Sequence, residues 1–112
     1  MANQMKKIKF ADVLSDAENL DWEDALYLPK NKEEWALDCE AIIENPDNFE
    51  DYDTDDNPIE ISKINYRHVL LCDDLTSIIK NLQEQNISYD LDLTYKAFIF
   101  YIENDSFIKL KT

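Results

Sequence analysis

The residues whose type and spacing most suggest chemistry are four oxygen-bearing side chains at alternate positions: Asp51, Asp53, Asp55 and Asn57. This spacing resembles the start of an EF-hand calcium loop, in which side chains at alternate positions coordinate the ion. The remainder of such a loop is missing, because the sixth position needs glycine and is Asp56, and the twelfth needs glutamate and is Ser62. We therefore predict no dedicated metal site.

The single histidine, His68, limits the other chemistries that the sequence allows. It excludes multi-histidine zinc sites, and any nucleophile and base pair would have to use it. Cys72 lies four residues further on, within reach on a helix, but a histidine beside a packed cysteine is the simpler interpretation. Cys39 and Cys72 form no C-x-x-C pair, so we expect reduced, buried thiols.

Glycine is absent from the chain. Phosphate-binding loops, dinucleotide-binding turns and nucleophile elbows all need a residue without Cβ, so these chemistries are excluded. A glycosidase would need two carboxylates at a fixed separation, and no pair stands out among 25 acidic residues. We predict that the protein is not an enzyme and that it uses no cofactor.

The negative charge is concentrated in one part of the chain. The formal charge is −14, from 25 Asp and Glu against 11 Lys and Arg. Twelve of the acids and none of the bases lie between Lys32 and Lys63, so residues 33–62, the acidic segment, carry −12. Such a field repels phosphate backbones and anionic membranes. We expect a basic partner, no direct binding of nucleic acid and no membrane binding.

The densest part of the acidic segment, residues 47–58, mixes aromatic side chains with carboxylates. Asp, Asn and Pro favour turns, so the sequence predicts a loop. One interpretation is a solvated loop that only aids solubility. The other is a binding surface, in which rings supply buried area and carboxylates steer a basic partner. The predicted partner-binding residues are Asp47, Phe49, Glu50, Asp51, Tyr52, Asp53, Asp55 and Asp56.

The first half of the chain has three periodic segments that could position these residues. Apolar side chains at helical spacing predict a short helix over residues 9–17. Residues 25–28 are apolar and stop at Pro29, which is typical of a buried strand. Residues 35–44 alternate with period two and predict a strand with one buried face, although a helix starting at Asn31 is the alternative. We assign Trp35 to the core.

The second half contains the strongest helical pattern, in which Leu75, Ile78, Ile79 and Leu82 share one face. Asp73 or Asp74 is the predicted cap, and Asn86 the left-handed stop. Residues 89–102 fit both helical and strand spacing. A helix is preferred because the run is long and because Asp90 and Asp92 suit a positive helix N-terminus. Residues 59–72 are mixed, with 68–71 a strand or an extended entry.

These elements predict one α+β domain over residues 1–112. A short N-terminal helix and strands precede a largely helical C-terminal half. A hydrophobic content of 45% is ample for the core of a chain of 112 residues. The first residues lack the long apolar run of a signal peptide, and no window resembles a membrane span. We therefore expect a cytoplasmic protein.

Three groups of residues carry a resemblance to a known family: Tyr27, Leu28, Pro29 and Trp35; Leu75, Ile78, Ile79, Asn81 and Gln85; Tyr101, Asn104, Asp105 and Phe107. Over roughly residues 24–108 the chain resembles a small family of uncharacterised bacterial domains, often found as immunity proteins beside polymorphic or contact-dependent growth inhibition toxins. The resemblance implies a small mixed fold and a cytoplasmic protein that neutralises a cognate toxin.

The charge and the resemblance lead to one hypothesis, an immunity protein that binds a basic toxin domain, expected to be a nuclease, through the acidic segment. An alternative is a nucleic-acid mimic that inhibits restriction or CRISPR machinery. A mimic of a long duplex needs charge spread along its surface, whereas this charge is local. A third hypothesis is a non-enzymatic regulatory domain whose acidity serves only solubility.

Overall fold

Among the residues that the structure describes, four strands form an antiparallel sheet in the order β1-β3-β2-β4. The computed structural model describes residues 6–85 and 88–110. The strands are β1 (Lys7–Lys9), β2 (Ala25–Pro29), β3 (Glu40–Glu44) and β4 (Tyr66–Leu71). The helices are α1 (Phe10–Ser15), α2 (Ile59–Lys63), α3 (Cys72–Glu84) and α4 (Leu91–Asn104). Single 3-10 turns occupy Ala17–Asn19, Lys32–Glu34 and Pro46–Asn48.

The central strand β2 is buried on both faces, because every one of its residues is apolar or aromatic and lies inside the fold. Successive side chains of a strand point to opposite faces. Leu26 and Leu28 join the main core, whereas Ala25 and Tyr27 join a smaller second core. The sheet therefore lies between two layers, with α1, α3 and α4 on one side and α2 with the chain before it on the other.

The main core is built from the apolar faces of α3 and α4 against the sheet. The four α3 residues predicted to share one face are all buried in this core: Leu75, Ile78, Ile79 and Leu82. Phe98 of α4 packs edge-on against Phe10, with ring centroids 5.0 Å apart. Trp35 is 6% exposed, and its Nε1 donates a hydrogen bond to the carbonyl of Pro29 at 2.7 Å. The assignment of Trp35 to the core is confirmed.

The predicted α+β class and the helical C-terminal half are confirmed. Residues 91–102 are helical, and the Asp90 side chain accepts a hydrogen bond from the Leu93 amide at 2.9 Å. The cap predicted for α3 is wrong, because Leu71 takes that position and Asp73 and Asp74 lie in the first turn. Their charges still face the positive end of the helix. Asn86, the predicted stop, lies outside the described residues.

The third strand is shorter than its alternating pattern predicts. Residues 35–39 form a loop, and strand pairing starts at Glu40. The loop is held instead to the start of α1, because the amides of Phe10 and Ala11 donate to the carbonyls of Cys39 and Leu37. The helix considered from Asn31 is reduced to the 3-10 turn Lys32–Glu34. Helix α2 was not predicted, because five residues are too few for a periodic signal.

Candidate partner-binding surface

The acidic loop, residues 45–58, connects β3 to α2 and covers the second core. Phe49 fixes it there, with its ring edge-on to Tyr27 at a centroid distance of 5.8 Å. Only 8% of Phe49 is exposed. Because it has so little free surface, Phe49 acts as a core residue here, and we leave it out of the surface that a partner could contact.

Asp53 organises the turn at the end of the loop. Its Oδ1 accepts hydrogen bonds from the amides of Asp55 and Asn57, at 2.9 and 3.0 Å. Its Oδ2 accepts from the hydroxyl of Ser62 in α2. The Ser62 hydrogen bond, followed by that of the Asn57 amide, lowers the pKa of Asp53 below its ordinary value. The Asp53 carboxylate is thus occupied by hydrogen bonds within the loop and to α2.

Further hydrogen bonds tie the loop to the rest of the fold. The Tyr52 hydroxyl donates to the Pro46 carbonyl at 2.7 Å, and an isolated bridge pairs Tyr52 with Pro58. The Asn57 side-chain oxygen accepts from the His68 amide of β4 at 2.9 Å. Tyr52 is nevertheless 45% exposed. The loop therefore has a fixed backbone and offers one aromatic ring to solvent.

The remaining predicted acids give the acidic loop its exposed negative charge. Five of them are exposed: Asp47, Glu50, Asp51, Asp55 and Asp56. Asp56 has a left-handed backbone, with φ of 63°, as a short polar residue can adopt in a tight turn. In the described ranges the one direct ion pair joins Lys32 to Glu103 at 3.1 Å. No direct pair there neutralises the loop carboxylates, so their charge faces solvent.

Basic side chains border the loop on the β4 side. A cavity of about 390 Å³ is lined by Lys30, Asp55, Asn57, Arg67 and His68. The Arg67 guanidinium lies over the Trp35 ring, 4.9 Å from its centroid. The exposed carboxylates therefore form a surface with a defined limit, where Lys30 and Arg67 begin.

Comparison with known proteins gives a family. Residues 7–110 match a family described as a domain of unknown function, DUF7716. The chain belongs to the DUF7716 family. No curated protein and no solved structure matches it. The matched range spans all four strands and all four helices described above. The DUF7716 domain is thus the whole described fold, including the acidic loop.

Cys72 and His68, the possible nucleophile and base of this DUF7716 domain, both pack against other residues of the fold. Burial, reinforced by Asp24 and Asp21, raises the pKa of the Cys72 thiol to about 12, so this thiol stays protonated at neutral pH. Burial lowers the pKa of His68, whose ring packs edge-on against Tyr27 at 5.7 Å. Within the part of the chain that the structure describes, no three His, Cys, Asp or Glu side chains are placed to hold a metal. Nor is any helix there long and apolar enough to cross a membrane.

Sequence reasoning missed Trp22, which is 67% exposed and is the most exposed large apolar side chain among the described residues. It lies in the Trp22 turn, residues 21–24, just before β2. Its signal in the sequence was the run of carboxylates around an aromatic, Asp-Trp-Glu-Asp. Residues 10–29 carry a charge of only −6, against −12 in the acidic segment, so charge alone points to the acidic segment.

Proposed function

We propose that this DUF7716 domain is an immunity protein that binds and neutralises a cognate bacterial toxin, a basic nuclease domain. The observation that carries the proposal is the acidic loop, whose backbone is fixed by hydrogen bonds within the loop and to β4 while five of its carboxylates remain exposed. The resemblance of residues 24–108 to immunity proteins supplies the biological setting. A cytoplasmic location belongs to the same proposal.

A fixed acidic loop suits inhibition of an enzyme that binds a polyanion. A nuclease needs a positive surface for phosphates, and the loop carboxylates occupy that surface in place of the substrate. Because the loop is already ordered, binding loses little backbone entropy. Charges of opposite sign also speed the encounter, with association rates that reach about 10⁸ M⁻¹s⁻¹ at low salt. Fast capture protects a cell in which the toxin is already active.

Growth rescue tests the proposal directly. The toxin domain encoded beside this gene is expressed in bacteria with and without the DUF7716 protein, and we expect growth only when both are present. Purified components should also form a complex on size-exclusion chromatography. Failure of rescue together with absence of a complex would reject the immunity function. Protection from restriction or CRISPR interference instead would favour a nucleic-acid mimic.

A charge-reversed variant tests the surface. Glu50, Asp51 and Asp55 are changed together to lysine, which spares Asp53 and the left-handed Asp56. We expect affinity for the toxin to fall by about 100-fold or more, since like charges then oppose each other. The measurement is titration calorimetry at fixed salt.

The matched control changes three exposed acids outside the loop to lysine, namely Asp38, Glu84 and Asp92. Its net charge is the same as that of the loop variant. We expect this control to bind within a few-fold of the natural protein. Equal weakening in both variants would mean that overall charge, and not the acidic loop, attracts the toxin.

A further inference from the structure

Trp22 is the most exposed large apolar side chain among the described residues, so packing in the core does not account for it. Two thirds of it lies in solvent, whereas Trp35, the other tryptophan, is 6% exposed. Tryptophan is strongly enriched among the residues that dominate the affinity of protein interfaces. Its large apolar ring and its N–H donor let it fill a recess in a partner and still form a hydrogen bond. An exposed indole is therefore a candidate anchor.

The Trp22 turn is held in one conformation. The Asp24 amide donates to the Asp21 carbonyl at 3.0 Å, and the Glu23 amide donates to the Asp21 side chain at 3.0 Å. The Asp24 carbonyl in turn accepts from the Cys72 amide, the first residue of α3, at 2.9 Å. The backbone that carries the indole is thus fixed before any partner arrives, which reduces the entropy lost on binding.

The surroundings of Trp22 are acidic. No lysine or arginine occurs between Lys9 and Lys30, and this stretch holds six carboxylates: Asp12, Asp16, Glu18, Asp21, Glu23 and Asp24. Burial raises the pKa of Asp24, and the charges of Asp21, Glu44 and Glu23 raise it further. A partner that covers Trp22 must therefore bring positive charge.

The Trp22 turn and the acidic loop leave the same end of the sheet. Ala25, directly after the turn, pairs with Glu44, directly before the loop. The Glu44 carboxylate accepts a hydrogen bond from Asn48, and the Pro46 carbonyl accepts from Tyr52. The start of the acidic loop, together with the half-exposed Tyr52 ring that is tied to it, therefore lies at the same end of the sheet as the Trp22 turn.

We propose that Trp22 is the apolar anchor of the partner-binding surface and that its occupant is the basic toxin domain. This inference rests on the proposed function and deepens it. The toxin surface that fits is an apolar recess, wide enough for an indole and edged by lysine or arginine side chains that meet Asp21, Glu23 and Asp24. A second copy of this chain is a poor occupant, because each copy carries a charge of −14.

Three single variants test the anchor: Trp22→Ala, Trp22→Phe and, as a matched control, Ile64→Ala. Ile64 is also an exposed apolar residue, 37% accessible, and it lies at the other end of β4. With the purified toxin domain encoded beside the gene, we expect Trp22→Ala to raise Kd by about 30-fold or more. Trp22→Phe should be intermediate, and Ile64→Ala should bind as the natural protein does.

Two further measurements separate an anchor from a charge effect. Poly-L-lysine binds through charge alone, so Trp22→Ala should bind it as well as the natural protein. Toxin binding should shift tryptophan emission to shorter wavelength and protect it from acrylamide, and Trp22→Phe should lack both effects.

Each outcome has a defined meaning. If the natural protein binds the toxin and Trp22→Ala binds equally well, the anchor is rejected and the proposed function stands. If the natural protein does not bind the toxin, the proposed function fails and the anchor fails with it. Self-association in sedimentation that Trp22→Ala abolishes would make a second copy the occupant and overturn the proposal.

Discussion

At the scale of single residues, two aromatic residues that have acidic neighbours in the sequence differ in burial. Phe49 lies among carboxylates in the sequence but packs its ring on Tyr27, whereas Trp22, in a similar context, projects into solvent. Residue type and neighbours do not distinguish these cases. The distinction comes from tertiary contacts, because the second core needs an aromatic to cover Tyr27 and no core position receives Trp22.

Replacing Phe49 by alanine should therefore lower stability more than it lowers affinity. A phenylalanine removed from a packed site costs about 3 kcal/mol, from lost burial and the cavity that remains. We expect the free energy of unfolding in urea to fall by about this amount. Toxin affinity, measured where the variant is fully folded, should stay within a few-fold.

The control for Phe49→Ala is Tyr52→Ala, at an exposed aromatic of the same loop. This variant should lose less stability and more affinity, since Tyr52 is 45% exposed. If Phe49→Ala instead lost more affinity and less stability than Tyr52→Ala, Phe49 would belong to the binding surface.

At the scale of elements, the sequence predicts those whose apolar pattern, length or end residues favour one structure over the other. Helix α3 and strand β2 were predicted from their apolar patterns, and α4 from its length and the acids at its start. The alternation over residues 35–44 predicted too long a strand, because Trp35 turns back to Pro29. Helix α2 gave no signal, because it depends on tertiary contacts such as the burial of Ile61.

The candidate site follows the same division. The position and charge of the acidic loop could be predicted from composition. Its internal order could not, because the roles of Asp53 and Asn57 depend on partners brought together by the fold, Ser62 and the His68 amide. A carboxylate that orders a loop and one that faces a partner are the same residue type in the sequence.

Asp53 provides a test at this scale. Asp53→Ala removes the acceptor for three hydrogen bonds, so the amides of Asp55 and Asn57 should exchange with solvent at least about tenfold faster. Exchange is measured by NMR. Asp51→Ala is the matched control. The hydrogen bond that the Ile59 amide donates to the Asp51 carbonyl uses only backbone atoms, so this substitution leaves it in place. Similar exchange in both variants would contradict the role of Asp53.

The lowered pKa of Asp53 gives this order a pH dependence. The folded state stabilises the ionised Asp53 carboxylate relative to the unfolded state. The contribution of this carboxylate to stability is therefore fully present above the unfolded pKa, about 3.9. That effect is lost as the pH falls through the lowered, folded pKa. Protection of the Asp55 and Asn57 amides should follow the titration of this carboxyl group.

At the scale of the whole molecule, the main core and the acidic loop lie on opposite sides of the sheet. The main core and its helices provide stability, and the second core supports a loop rich in exposed carboxylates. A formal charge of −14 on such a small domain also opposes folding, since the compact state brings like charges together. Repulsion among the carboxylates of the acidic loop therefore lowers the free energy of unfolding. A surface with a purely structural role would not require this loss of stability.

Salt should reveal this cost. Sodium chloride screens repulsion between exposed charges, so raising it from about 0.02 M to about 0.5 M should stabilise the protein. A gain of about 1 kcal/mol corresponds to a rise in Tm of roughly 4 °C or more for a domain of this size. Thermal unfolding followed by circular dichroism measures the change.

The loop variant with lysine at positions 50, 51 and 55 has a formal charge of −8 instead of −14, so salt should raise its Tm by a smaller amount. The control with lysine at 38, 84 and 92 has the same charge spread over other faces. If the acidic loop is the main source of repulsion, the loop variant should respond to salt less than this control does. Equal responses would show that the repulsion comes from the net charge of the whole molecule and not from the acidic loop in particular.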